Sequence, residues 1–562
     1  MSIARFATPL FLIVLMAVAA CGKKSDDSAP LAFVPADTAF VIANSEPAPA
    51  AAVATWSRQM QGMWPIVTGM YERLLGELPT DGAADSARVR TVFSAILAEL
   101  KGRDTPEKWA EIGFTTKARS AIYGVGMVPV LRIELANEEG FRAMIARVET
   151  NSGSKLATAR IGDQDLWLVD ADKAQAMIAI QGKHLVATIL PSNADESLKR
   201  AVLGLDRPAK NLAEDGRLGA LEKAEGYTAF GSGWLDFRRV ASLIDNDPGY
   251  AAFARLADDA PVKLDPICRA EFDALAARAP RMVFGYTALD ATRMSVSSRL
   301  DLDAELAAAF VALSSPPPGS AAPTGALYDM SLSLPILKIK DFLLARAEAV
   351  VAAPFACPAL ASWNEAATRL KGQLSQFVPP PLSDLTGLRL TIDRLSWPAD
   401  GELDFSAKVL LASNNPMAMV GLAQLAVPAL KDFAISADGK AVTLPAGVIP
   451  NQVGFVPEVH VALNANALAI GTGDAAGLSS YLVAQTAADG QLFRTSYSGE
   501  FYLALGNLMS RFSESLPEKE RVSLQQQQEL YALYASWIRN IDLRINATPK
   551  GIVFAQDAEL TP

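Results

Sequence analysis

Two histidines, three cysteines and a few short polar runs are the chemical resources of this 562-residue chain. His184 and His460 each fall in a strand-turn-strand pattern, at positions that do not correspond, so they are not expected to meet. Without a third histidine, neither a zinc cluster nor a Ser-His-Asp triad is expected, and both read as strand residues near the surface. Ser152-Gly-Ser-Lys155 matches the S-x-x-K nucleophile pattern. That chemistry needs a helix start in a cleft, with S-D-N and K-T-G companions; here the run reads as a polar loop and the companions are missing. Gly471-Thr-Gly-Asp-Ala-Ala-Gly477 follows a strand and opens a helix, as a phosphate-binding loop does, but its spacing is not G-x-G-x-x-G. Asp474 in that run, and Asp195 after Leu190, read instead as helix N-caps. Asp301 and Asp303 flank Leu302, which is too little for a calcium loop. No catalytic residue, metal ligand or cofactor is expected.

What remains is apolar. Val53, Trp56, Met60, Met63, Val67, Met70, Leu74 and Leu78 recur at spacings of three and four, which predicts an amphipathic helix that Pro65 kinks or splits. A second helix is expected over Ala84–Lys101. Methionine and tryptophan suit an adaptable apolar surface, so Trp56, Met60, Met63, Trp64 and Met70 are candidates for a ligand groove. The alternative for the same stripe is a packed core face.

These helices sit in a larger pattern. Ser314 to Gly325, with Pro316-Pro-Pro-Gly319 inside it, reads as a linker, because proline fixes φ and removes backbone donors. The two sides of it read as copies. Val128–Leu135 followed by a helical run matches Leu403–Leu411 followed by another. Met177–Ile189 matches His460–Ile470, and Gly226–Val240 is paired with Ser496–Leu508. Each side closes on two strands, Arg281–Leu302 and Asn540–Leu560. The expected fold is therefore α+β: two tandem-duplicated halves, 31–313 and 326–562, of mainly antiparallel sheet with packed amphipathic helices, joined by 314–325. With 50% apolar and 20% charged residues the chain is globular. Its formal charge of −10, and the want of a basic stripe, exclude nucleic acid as an expected partner.

The N-terminus has the form of a targeting segment: Arg5, an apolar core from Pro9 to Ala17, then Val18-Ala-Ala-Cys21. This resembles the lipobox of bacterial lipoproteins. The resemblance implies removal of residues 1–20, acylation of Cys21, a polar tether over 21–30 and, with Gly22 after the cysteine, sorting to the outer membrane. Pro35-Ala-Asp-Thr38 is similar to the opening of several uncharacterised bacterial envelope protein families, which implies no activity. The lipobox resemblance also implies an oxidising periplasm and hence a Cys268–Cys357 disulfide; two buried thiols are the alternative. The functional expectation is a lipid-anchored, non-enzymatic envelope scaffold or carrier facing the periplasm. It would bind an apolar ligand, a lipid or a partner protein. The alternative is a periplasmic hydrolase working through carboxylates.

Overall fold

The computed structural model describes residues 28–76, 84–171, 174–244, 247–254, 263–397, 403–445, 447–448, 458–513 and 518–561. The expected signal 1–20, Cys21 and most of the tether 21–30 lie outside them. Among the described residues no helix is long and apolar enough to cross a membrane. The chain divides into two compact units, Met1–Val296 with Pro562, and Ser297–Thr561. Both are α+β and antiparallel.

The first unit holds strands β1 (Phe40–Asn44), β2 (Ser120–Val125), β3 (Val128–Glu134), β4 (Ala157–Ile161), β5 (Gln164–Ala171), β6 (Ala174–Gln181), β7 (His184–Pro191), β8 (Phe230–Asp236) and β9 (Arg281–Leu289); the next strand, β10 (Arg293–Asp301), begins in it and ends in the second unit. Their pairing gives the order β4-β5-β6-β7-β3-β2-β1-β8-β9. The helices are α1 (Ala50–Gly76), α2 (Ala84–Leu100), α3 (Pro106–Ala110), α4 (Glu138–Ser152), α5 (Glu196–Leu203), α6 (Leu212–Asp215), α7 (Arg217–Glu225), α8 (Phe237–Leu243), α9 (Pro248–Ala254) and α10 (Pro266–Arg278).

The central strands are apolar on both faces, because helices cover both. Strand periodicity sorts the side chains into two cores. Val130, Met177, Ala179 and Val186 join Phe33, Leu198 and Leu203 on one side. Ile133, Ile180 and Leu185 join Trp64, Leu100, Phe141 and Val148 on the other. Ahead of β1, Pro30–Phe33 is a 3-10 turn and Pro35 makes only a single bridge to Asn211, so the ladder begins at Phe40. Pro65 does not split α1. The bond it removes lies on a face where Gln61 and Pro65 are exposed and water can replace it.

The second unit holds β11 (Tyr328–Ser333), β12 (Leu385–Ser396), β13 (Asp404–Ser413), β14 (Ala441–Leu444), β15 (Val459–Leu463), β16 (Ala467–Thr472), β17 (Gln491–Ser498), β18 (Ile538–Thr548) and β19 (Gly551–Leu560). Their order is β14-β15-β16-β13-β12-β11-β17-β18-β19. Its helices are α11 (Ala304–Ala312), α12 (Ile336–Ala352), α13 (Ala361–Leu374), α14 (Pro416–Ala426), α15 (Ala475–Leu482), α16 (Gly499–Ser513) and α17 (Glu518–Trp537). Set beside the first order, β5-β6-β7-β3-β2-β1-β8-β9 runs parallel to β14-β15-β16-β13-β12-β11-β17-β18, with β4 extra. The pairing of Gly226–Val240 with Ser496–Leu508 does not keep this register. Tyr227 precedes β8, whereas Tyr497 lies inside β17.

Ser314–Gly325, expected as a linker, lies inside the second unit and is strapped to its sheet. Ser315 N–H donates to Ser333 Oγ at 2.9 Å. Gly319 and Ala321 donate to the carbonyls of Ala484 and Gln485, at 3.0 and 3.2 Å. The carbonyl of Ser320 accepts from Arg494 Nη1 at 3.3 Å. Proline's missing donors cost little here, because the polar sheet face beneath supplies groups for the donors and carbonyls that remain. Gly319 has φ +81°, and a Cβ there would stand 1.5 Å from Arg389 Nη1. Only glycine meets both conditions.

Candidate functional site

An open apolar slot of about 60 Å³ lies in the first unit between the start of α1 and the segment 104–116. α1 contributes Trp56 and Met60; Trp109 and Phe114 face them. Trp109 is set by local sequence. Thr105 caps α3, its Oγ1 accepting from Lys108 N–H, and Pro106 follows at the first helical position, where proline loses nothing. Trp109 then stacks edge-on between Trp64, at 5.3 Å, and Phe114, at 5.9 Å. The rim is polar: Asp104, paired with Lys108 at 2.6 Å, and Thr105, Thr115 and Thr116.

The five residues expected to form a groove divide. Trp56 and Met60 line the slot. Trp64 does not: it is 1% exposed, and its indole N–H donates to the carbonyl of Leu100 at 2.7 Å, pinning α1 to α2. Met63 is half-buried outside the slot lining, and Met70 is exposed. At 1.5 Å per residue the stripe from Trp56 to Met70 is about 21 Å long, and the segment 104–116 meets only its first turns. Trp109 and Phe114 were missed by the sequence reading. The Thr-Pro start of α3 was the available signal.

In the second unit an open pocket of about 310 Å³ lies between the strap and α15, bordered by Gly319, Thr324, Arg389, Gly477, Ser480 and Tyr481. Its cation is already engaged. Arg389 is 1% exposed and donates from Nε and Nη2 to Asp329 at 3.2 and 3.0 Å. Arg494 holds Asp542 in the same two-pronged way, at 3.0 and 2.6 Å. Tyr481, under the Arg389 guanidinium at 4.3 Å, shares a 2.7 Å hydrogen bond with Thr391. Burial pushes its phenol upward in pKa.

The remaining chemical candidates are structural. His184 is buried, not near the surface. Its Nδ1 is 3.3 Å from Arg132 Nη1, Phe33 stands edge-on at 5.4 Å, and burial followed by the Arg132 charge lowers its pKa to about 3. His460 is buried too, tied through Nδ1 to Thr443 at 3.0 Å and through Nε2 to the carbonyl of Gly473 at 2.8 Å. Arg132 caps the C-terminal end of α5, donating to the carbonyl of Leu203 at 2.6 Å. Ser152 ends α4 and bonds its own turn, far from a nucleophile's helix start. Asp195 and Asp474 accept from Leu198 and Gly477 N–H, at 2.8 and 3.0 Å, as N-caps. Asp301 pairs with Arg299 and Asp303 caps α11. Among the described residues no group of three or more His, Cys, Asp or Glu could hold a metal ion. Glu222 is the carboxyl that burial pushes up, against a hydrogen bond from Ser232 and with Glu46 raising it further; it lines neither pocket. Cys268 and Cys357 are both disulfide-bonded.

Compared with known proteins, the chain matches no family model, no curated protein and no solved structure.

Proposed function

We propose that this chain is a lipid-anchored envelope protein, built by tandem duplication, that binds an apolar ligand or partner in the slot beside α1 and catalyses no reaction. The slot carries the functional half of this reading, since it joins Trp56 and Met60 to Trp109 and Phe114 in an open, half-buried position. The lipobox ending in Cys21 supports the anchor, and the disulfide-bonded state of Cys268 and Cys357 agrees with an oxidising compartment. The parallel strand orders of the two units support the duplication, as do the asparagine caps Asn137 and Asn415 that start a helix after β3 and after β13.

Two measurements test it. A photo-reactive diazirine residue replacing Met60, irradiated in the native envelope, should form a lipid or peptide adduct at that position. Quenching by water alone would sink the binding role. Palmitate should label the wild-type chain and not Cys21→Ser; equal labelling of both would remove the anchor.

A further inference from the structure

Each unit places a helix after the matching strand of its sheet, and the two helices are finished differently. α4 follows β3 behind the cap Asn137, and α14 follows β13 behind the cap Asn415. Numbered from these caps, an offset of 278 (415 − 137), Phe141, Met144, Ile145 and Val148 stand at the positions of Met419, Leu422, Ala423 and Ala426. All four are buried in α4, where α2 packs against the helix and shares its core. Of their counterparts in α14 only Met419 is buried; Leu422 is 53% exposed, and Ala423 and Ala426 are exposed. Among the described residues no α-helix packs along α14. The 3-10 turn Pro428–Asp432 that follows it buries Leu430 but leaves Leu425 73% exposed.

The outward face of α14 is nevertheless apolar. A surface helix ordinarily turns polar residues to water, as α4 does with Glu138, Glu139 and Arg142. Asn414 to Leu430 carries no charged side chain at all. Even the position of Arg147, which pairs with Glu99 of α2 at 2.9 Å, is held in α14 by Leu425. This pattern does not suit a bilayer. A helix lying on one joins its apolar face to lysines and arginines that meet anionic headgroups, and here the first charges past Leu430 are Lys431 and Asp432, which offset each other. Nor is the face large enough to hold two copies of the chain together. Eleven helical residues make a strip about 16 Å long and about 10 Å wide, a small part of the roughly 800 Å² per partner that a stable dimer buries. It matches the footprint of one helix.

We propose that the outer face of α14 receives an amphipathic helix of a partner polypeptide, in the role that α2 fills for α4 in the first unit. Leu422 and Leu425 are the anchors. Ala423 and Ala426 form a low floor beside them, on which large apolar side chains of the partner settle at spacings of three and four. With no charge on the face, recognition demands an apolar stripe and sets no sign on the flanking residues. The site is on the second unit and does not depend on the slot beside α1.

The test uses the purified full-length chain carrying Cys21→Ser, so that no acyl anchor contributes, and three probes. The first is a peptide of residues 84–101, the α2 segment, with leucine in place of Glu99 to suit Leu425. The second has the same residues in scrambled order, and the third is vesicles of phosphatidylethanolamine with phosphatidylglycerol. In fluorescence anisotropy the labelled α2 peptide should bind saturably and the scrambled one should not. Leu422→Glu should weaken binding at least about tenfold, since a charge replaces a buried leucine contact. Leu503→Glu, at an exposed leucine of α16, should leave it unchanged. Circular dichroism melts check the variants; if Leu422→Glu melts early, Leu425→Glu decides. Absence of saturable binding would overturn the inference, as would binding that Leu503→Glu weakens equally. Vesicle co-sedimentation that Leu422→Glu removes would assign the face to a bilayer, and a sedimenting dimer that it dissociates would assign it to a second copy. Either result would overturn the partner helix.

Discussion

Acidification from pH 7 to pH 5 should weaken the folded state through His184, and the size of the effect follows from its surroundings. The imidazole is 2% exposed, on the sheet face that Phe33 and Leu203 cover. Burial is the main reason its pKa drops from 6.5 to about 3; the Arg132 charge adds to this, Glu134 opposes it, and Lys183 and Arg119 act in the same direction as Arg132. The unfolded chain therefore takes up a proton near pH 6.5 that the folded chain refuses. Where the unfolded state binds more protons, stability falls as pH falls. The stability that neutral His184 supplies is complete above pH 6.5 and is lost progressively toward pH 3. One pH unit corresponds to about 1.4 kcal/mol, so by pH 5 the loss is about 2 kcal/mol. Carboxylates held low by ion pairs contribute mainly below this window. The assay is urea unfolding of the wild type and His184→Gln at pH 7, 6 and 5. The wild type should lose about 2 kcal/mol more than the variant between the end points. Parallel pH profiles would show that His184 titrates freely in the fold and would refute the buried, neutral imidazole.

Asp329→Ala should cost about 3–5 kcal/mol in urea unfolding, because it leaves the Arg389 guanidinium buried without its anion; a loss below 1 kcal/mol would mean that water reaches this pair. Gly319→Ala should release the strap, through positive φ and collision with Arg389, and raise amide exchange at Gly319 and Ala321 above wild type. Unchanged protection would show that the strap does not depend on that contact. Glu222→Gln should stabilise the chain at pH 7 and lose this advantage as pH drops below the ordinary carboxylate range, since a raised carboxyl pKa disfavours the folded state once the group ionises. Equal melting temperatures at pH 7 would count against a carboxyl that half-burial raises and no cation offsets.

Hydrophobic periodicity and caps are local properties, and they were legible. The helix over 84–101, the strand pairs at 281–302 and 540–560, and the capping roles of Asp195 and Asp474 needed only neighbouring residues. Partners far apart in the chain were not legible. Asp329-Met-Ser-Leu-Ser333 alternates like a solvent-facing strand, yet its polar face is buried. The groups that satisfy it come from Arg389, from Arg494's strand and from the strap, each brought there by strand pairing and not by sequence spacing. The same holds for the proline run. Its composition specifies a segment that joins no helix or central strand, but whether such a segment hangs free or lies on a sheet depends on the groups beneath it. Trp64 and Trp56 have the same helical spacing pattern; α2 buries one and the segment 104–116 leaves the other at an open slot. The sequence by itself determined the α+β class, the apolar stripes and the helix caps, because each is written in residues close together. Tertiary structure alone decided which part of the stripe is a slot, which histidine is kept neutral and where the buried charges find their counter-ions, because burial and ion pairing depend on residues that only the fold brings into contact.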